Sequence, residues 1–113
     1  MNIYISLPIT GRPLPEAVNH ADTVKSYLSR KGHVATSPFD IYAGDKPEWE
    51  DYMLADLREL LKSDAVCFCK GWESSPGCRL EMDAVREANV HRLITDEGKQ
   101  IEIWYEDKPR TWR

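Results

Sequence analysis

The stretch "AVCFCKGWESSPGCRLEMDAVREA", residues 65–88, decides the fold. It opens on a continuous apolar run, Ala65 to Cys69, of the kind a strand shows when both faces of a parallel sheet are covered. "KGWESSPG" reads as a loop, with Ser75 placed to N-cap a helix and Pro76 at its first position. From Cys78 the spacing is helical. At about 100° per residue, Cys78, Glu81, Val85 and Ala88 form one stripe, flanked by Leu80, Met82 and Ala84. Arg79, Asp83, Arg86 and Glu87 take the other side. A carboxylate, Glu81, therefore lies in the middle of the face that should be buried.

Upstream, residues 2–6, "NIYIS", are a buried strand by composition, and "LPITGRPLP" after them, with three prolines and a glycine, is a loop. From Glu16 the positions Ala17, Val18, Ala21, Val24 and Leu28 recur at helical spacing, and Lys31-Gly32 closes that helix. "HVATS" is a second strand and "PFDIYAGDKPEWE" a long loop. Asp45 is placed to cap the next helix, with Pro47 in its first turn and Glu48 three residues after the cap. That helix runs to about Lys62 on a core face of Met53, Leu57, Leu60 and Leu61. Beyond Ala88, "VHRLIT" and "IEIWYE" flank the turn "DEGK" and read as an antiparallel pair at the sheet edge. The order β-α-β-α-β-α-β-β predicts an α/β sandwich with a mainly parallel sheet between helices. Ligands of such sheets bind past the carboxyl ends of the strands, where strand order switches. By that rule both "SLPITGRP" and "KGWESSPG" belong to the site.

At 113 residues the chain fits one domain, residues 1–113, with a core that needs no disulfide or metal. A net charge of −4 argues against a nucleic-acid polymer as partner, although one basic pocket for a phosphorylated small ligand fits within an acidic total. Three cysteines, two of them alternating in an apolar run, read as reduced core thiols of a cytoplasmic protein. Cys67, Cys69 and Cys78 have neither C-x-x-C spacing nor a nearby histidine, so no metal site is expected. No run approaches the roughly 20 apolar residues a membrane span requires, and no signal segment opens the chain.

Glu81 is the leading functional candidate, because an unpaired buried carboxylate costs several kcal/mol. Periodicity alone leaves open pairing with a buried arginine or an oligomer contact. Asp56 borders the apolar arc of the second helix, and on its own reads as a carboxylate kept at the water-facing edge for solubility. Asp64 reads as a terminus residue. Tyr4 in the first strand has a polar tip that needs a partner. His20, His33 and His91 show no partner pattern and read as structural. Two carboxylates beside a cleft suit chemistry at an acetal-like carbon, one attacking and the other protonating the leaving group. "SLPITGRP" is neither a dinucleotide fingerprint nor a P-loop.

"MNIYISLPITG", "YMLADLRELLKSDAVCFCKGW" and "SSPGCRLEMDAVREA", in that order over residues 2–95, resemble the nucleoside 2-deoxyribosyltransferase superfamily, in particular its small DUF4406-like members. The resemblance implies a Rossmann- or flavodoxin-like α/β three-layer sandwich with an antiparallel C-terminal edge hairpin. It places Glu81 as the nucleophile that forms a covalent deoxyribosyl enzyme, Asp56 as the acid that assists base departure, and Tyr4 beside the nucleophile. The substrate, a nucleoside or nucleotide, is then held by the two loops through Thr10, Gly11, Arg12, Trp72, Ser74, Ser75 and Gly77, with no cofactor. Six residues before the nucleophile, transferases of the superfamily carry an aspartate for the 5′-hydroxyl and nucleoside-monophosphate N-glycosidases a serine for the 5′-phosphate; here it is Ser75. In the first loop Leu7 replaces a common glycine, which crowds the sugar. Pro8 and Thr10 stand where the monophosphate hydrolases place a serine and an arginine, leaving Arg12 or Arg79 to substitute. The implied activity is hydrolytic N-glycosidase action on a 2′-deoxynucleoside 5′-monophosphate. Deoxyribosyl transfer and a non-catalytic nucleotide-binding module are the alternatives. Relatives complete their sites with a neighbouring subunit, which implies a homo-oligomer; the aromatic C-terminal hairpin, with Trp104 and Tyr105, reads as a contact.

Overall fold

The computed structural model describes residues 1–88 and the backbone of residues 92–95 and 100–103. Its strands are β1 (Asn2–Ser6), β2 (Val34–Thr36), β3 (Ala65–Phe68), β4 (Arg92–Thr95) and β5 (Gln100–Ile103), and its helices α1 (Leu14–Arg30), α2 (Trp49–Lys62) and α3 (Pro76–Glu87). Spatial order in the sheet is β2-β1-β3-β4-β5. β1 is parallel to both β2 and β3, in register Tyr4 to Thr36 and Ser6 to Phe68. The β4 backbone lies parallel to β3, and that of β5 runs antiparallel to β4. The expected hairpin turn at 96–99, His91, the aromatic pair Trp104 and Tyr105, and the polar tail lie outside the described residues.

Strand period decides what each helix meets, because successive side chains leave opposite faces of the sheet. Ile3, Ile5 and Leu7 pack with Ala21, Val24 and Leu28 of α1 and with Ala35, Ala65 and Cys67. Tyr4 points the other way, joining Val66 and Phe68 against Leu60 of α2 and Met82 and Val85 of α3. The result is a Rossmann-like arrangement with α1 on one face and α2 and α3 on the other. From β1 the chain crosses one way to β2 and then back over β1 to β3, so strand order switches between β1 and β3.

Helix starts depart from the sequence reading. α1 begins at Leu14, two residues before Glu16, because Pro15 is tolerated in a first turn where no intrahelical N–H bond is yet needed. α2 begins at Trp49 rather than after Asp45. The Tyr42 hydroxyl donates to the Asp45 carboxylate, and the Glu48 N–H donates to Asp51 Oδ2 at 2.9 Å, closing the helix from inside its first turn. The long loop after β2 contains a 3-10 turn, Pro38–Asp40, in which Ser37 Oγ accepts from the Phe39 N–H at 3.2 Å. "KGWESSPG" contains another, Trp72–Ser74, entered through Gly71 at φ +89°.

The buried face of α2 is also rotated from the expected one. Met53, Asp56 and Leu60 are buried, whereas Leu61 is 48% exposed. Asp56 is thus on the core side, contrary to the solubility reading of its position. On α3 the stripe holds: Cys78, Glu81, Met82 and Val85 are buried, while the flanking Leu80 is exposed.

Candidate functional site

β1 is the platform of the site. Tyr4 and Ser6, two residues apart on the face opposite Ile3 and Ile5, are both buried at the carboxyl half of the strand. α3 starts just beyond the neighbouring β3, and its second turn carries Glu81 over the same face. Glu81 is 4% exposed and Asp56, reaching in from α2, is 8% exposed. The Ser6 hydroxyl donates to Glu81 Oε1 at 2.9 Å in a fully buried bond. Glu81 Oε2 and the Tyr4 hydroxyl are buried and have no hydrogen-bond partner among the described residues.

Burial governs the electrostatics. It pushes the Glu81 carboxyl up to about 7; Tyr4 and Ser6 pull down against it, and the Asp56 charge adds to the upward push. Asp56 is likewise pushed up to about 7 by burial. The Tyr4 hydroxyl is held well above the usual phenol range, first by burial and then by the Glu81 and Asp56 charges, so it stays protonated. It acts on Glu81 without the geometry of a hydrogen bond. Cys78, one turn before Glu81 on the same stripe, has its thiol raised by burial, with the Ser6 and Ser75 hydroxyls opposing. Two carboxyls poised near neutrality and a protonated phenol thus lie together, groups of the kind acid–base chemistry employs.

The structure brings Glu81, Asp56 and Tyr4 together; the expected contact residues of the loops divide. Ser75 is the N-cap of α3, its Oγ accepting from the Cys78 N–H at 3.3 Å. Gly77 sits where α3 meets α2: a Cβ there would lie 3.4 Å from Met53 Sδ. Trp72 packs on Phe68, ring centroids 5.2 Å apart, and Ser74 is exposed. In the first loop, Thr10 and Gly11 are exposed, Gly11 at φ +84° with open space around it. Arg12 is held in its own loop, Nη1 donating to the Pro8 carbonyl at 2.9 Å and contacting His20 Nδ1 at 3.2 Å, Nη2 reaching Glu16 at 3.4 Å. A Cβ on Gly71 would meet Pro8 Cγ at 3.3 Å, so the two site loops touch. Leu7 packs in the α1-side core, on the opposite face of β1 from Glu81.

Several residues serve the frame. Asp64 Oδ2 accepts from the Asn2 N–H at 2.8 Å, tying the starts of β1 and β3 at the far end from Ser6. His33 Nδ1 lies 3.1 Å from the Met1 amine. A cleft of about 510 Å³ lies between the loop after β2 and α2, lined among others by Thr36, Tyr42, Leu54 and Arg58. A smaller one of about 230 Å³ reaches Tyr4 from beside Thr36 and Ser63. Neither is lined by Glu81 or Asp56. Among the described residues no group of three or more His, Cys, Asp or Glu is arranged to hold a metal ion, and no helix is long and apolar enough to cross a membrane.

A family model described as a domain of unknown function, DUF4406, matches residues 1–94. The chain belongs to the DUF4406 family. The matched span contains every residue of the site just described. No curated protein matches the chain. Within this DUF4406 domain the residue that sequence reading missed is Ser6. Its signal was present: a polar side chain closing a buried strand, two residues after Tyr4 and hence on the same face.

The raised carboxyl pKa values have a thermodynamic consequence. Folding favours protonated Glu81, so the DUF4406 domain takes up protons on folding between about pH 4.5 and pH 7, and stability falls as pH rises through that window. Glu81→Gln removes this titration. It should match the parent near pH 4 and exceed it at pH 8 by up to about 3 kcal/mol, read by urea denaturation across pH. Equal stability of the two proteins at pH 8 contradicts the burial of a titrating carboxyl.

Proposed function

We propose that this DUF4406 domain is a retaining N-glycosidase that cleaves the base–sugar bond of a 2′-deoxynucleoside 5′-monophosphate. One observation carries the reading: Glu81 is fixed through Oε1 by Ser6 while Oε2 has no partner among the described residues, the arrangement an oriented nucleophile needs. In the first step Oε2 bonds to C1′ as the C1′–N bond breaks, its electron pair leaving with the base, and Asp56 gives the base a proton. In the second, a water whose proton returns to Asp56 attacks C1′, freeing the sugar phosphate and restoring the Glu81 carboxylate, with retention overall. The resemblance of the ordered motifs to the nucleoside 2-deoxyribosyltransferase superfamily supports these roles. Ser75 and the N-terminus of α3 supply a hydroxyl and a favourable dipole for the 5′-phosphate, where an aspartate would repel it.

One observation favours a second reading. Arg12 is spent on the Pro8 carbonyl, His20 and Glu16, which leaves the phosphate without that cation and suits an unphosphorylated nucleoside. Deoxyribosyl transfer to an acceptor base follows the same first step.

The test is release of free base, followed by chromatography, from each deoxynucleotide and deoxynucleoside, with and without an acceptor base. Glu81→Gln should abolish release, and Asp56→Asn should slow it by about 10²- to 10⁴-fold. Attack needs Glu81 ionised and departure needs Asp56 protonated, so with both groups near 7 the rate should peak near pH 7 and fall on either side. No release from any substrate, or release that survives Glu81→Gln, removes the reading.

A homo-oligomer in a reducing cytoplasm completes the proposal. Exposed Trp49, Tyr52 and Leu54 along α2 support self-association, and three buried cysteines in no disulfide suit that compartment. Sedimentation velocity should give at least a dimer; a monomer at every concentration counts against it.

A further inference from the structure

The buried hydroxyl that closes β1 has a role of its own. Ser6 is completely buried, lies on the Tyr4 face of β1 and is held in register with Phe68 of β3. Pairing with β3 and complete burial leave its side chain little freedom, so the hydroxyl is a fixed point. It donates to Glu81 Oε1 at 2.9 Å. The other carboxylate oxygen, Oε2, is buried without a partner among the described residues.

A carboxylate has two equivalent oxygens in water. One donor on Oε1 ends that equivalence, because it draws charge toward the bonded oxygen, fixes the plane of the group and leaves the lone pairs of Oε2 free. The groups facing Glu81 are Tyr4 from β1, Asp56 from α2 and Cys78 from its own helix. Asp56 repels a charged Glu81, whereas Tyr4 and Ser6 favour it, and of these two only Ser6 has hydrogen-bond geometry.

We propose that Ser6 is a positioning residue: it pins Glu81 through Oε1, favours the charged form of the carboxyl over the neutral one and selects Oε2 as the atom that attacks. The contact stands by itself, while its chemical consequence rests on the N-glycosidase reading.

The test separates the two. In protein carrying ¹³C-labelled glutamate carboxyls, with Glu81→Gln to assign the signal, Glu81 is titrated in the parent, in Ser6→Ala and in Ser6→Thr. Ser6→Ala should raise the Glu81 pKa by about one unit, the size expected for one lost hydrogen bond to a charged group. Ser6→Thr, which keeps the hydroxyl on a strand that accepts β-branching, should restore the parent value. Where the alanine variant does not fold, Ser6→Cys substitutes a weak donor of similar size and should also shift the titration upward. In base release, Ser6→Ala should lower kcat by about 10- to 100-fold with KM little changed, and move the acid limb of the pH profile up by the same one unit.

A Glu81 titration that moves by less than about 0.3 unit in both the alanine and cysteine variants overturns the role of Ser6, whatever the activity. A threonine variant that titrates like alanine does the same. If the parent releases no base but the titration shifts as stated, the N-glycosidase reading fails and the Ser6–Glu81 linkage stands.

Discussion

The candidate site depends on keeping one carboxylate out of water. Glu81 is enclosed between α3, α2 and the face of β1 that carries Tyr4 and Ser6, and removing such a group from solvent costs several kcal/mol when nothing answers its charge. No arginine or lysine is paired with it among the described residues. What answers the charge is one serine hydroxyl, a nearby phenol and the option of taking up a proton. A purely structural acid gains little from that balance, since a leucine at the same place would bury more apolar surface at no electrostatic cost. An acid left half-satisfied and near neutrality is suited to changing its bonding during a reaction.

The fold makes this enclosure possible at one place. With order β2-β1-β3, the connections leaving β1 and β3 diverge, and the crevice between them is where the end of β1 and the start of α3 come together. β1 is two-sided: Ile3, Ile5 and Leu7 anchor it to α1, which frees Tyr4 and Ser6 to serve the opposite face. α3 is registered by Ser75 at its N-cap, and Gly77 lets it approach Met53 of α2. Pro8 against Gly71 joins the two loops beside the site.

Much of this was legible in the residues. The alternation of strands and helices and the helical stripe through Glu81 are properties of spacing, and spacing survives into the structure because it reports burial directly. Tyr4 was legible as a buried polar tip. Other features depend on partners far away in sequence. The burial of Asp56 and exposure of Leu61 follow from the rotation of α2 as it packs on α3 and the sheet, which a border position on a wheel does not determine. The start of α2 is not fixed by spacing, because Asp45 and Asp51 are both competent capping acids, and Tyr42 occupies the first. Ser6 belongs to the buried strand by composition, but its role is not legible there, because the partner of its hydroxyl, Glu81, is 75 residues away. Arg12, a free cation on paper, is tied to Pro8, His20 and Glu16.

The most direct measurement is the mass of the peptide bearing Glu81, residues 80–86 after tryptic cleavage, from a reaction with a deoxynucleotide stopped in acid during turnover. If Glu81 meets the sugar carbon, that peptide carries the deoxyribosyl phosphate as an ester on Glu81. An unmodified peptide while base is being released, or the sugar on any other residue, contradicts a nucleophilic Glu81.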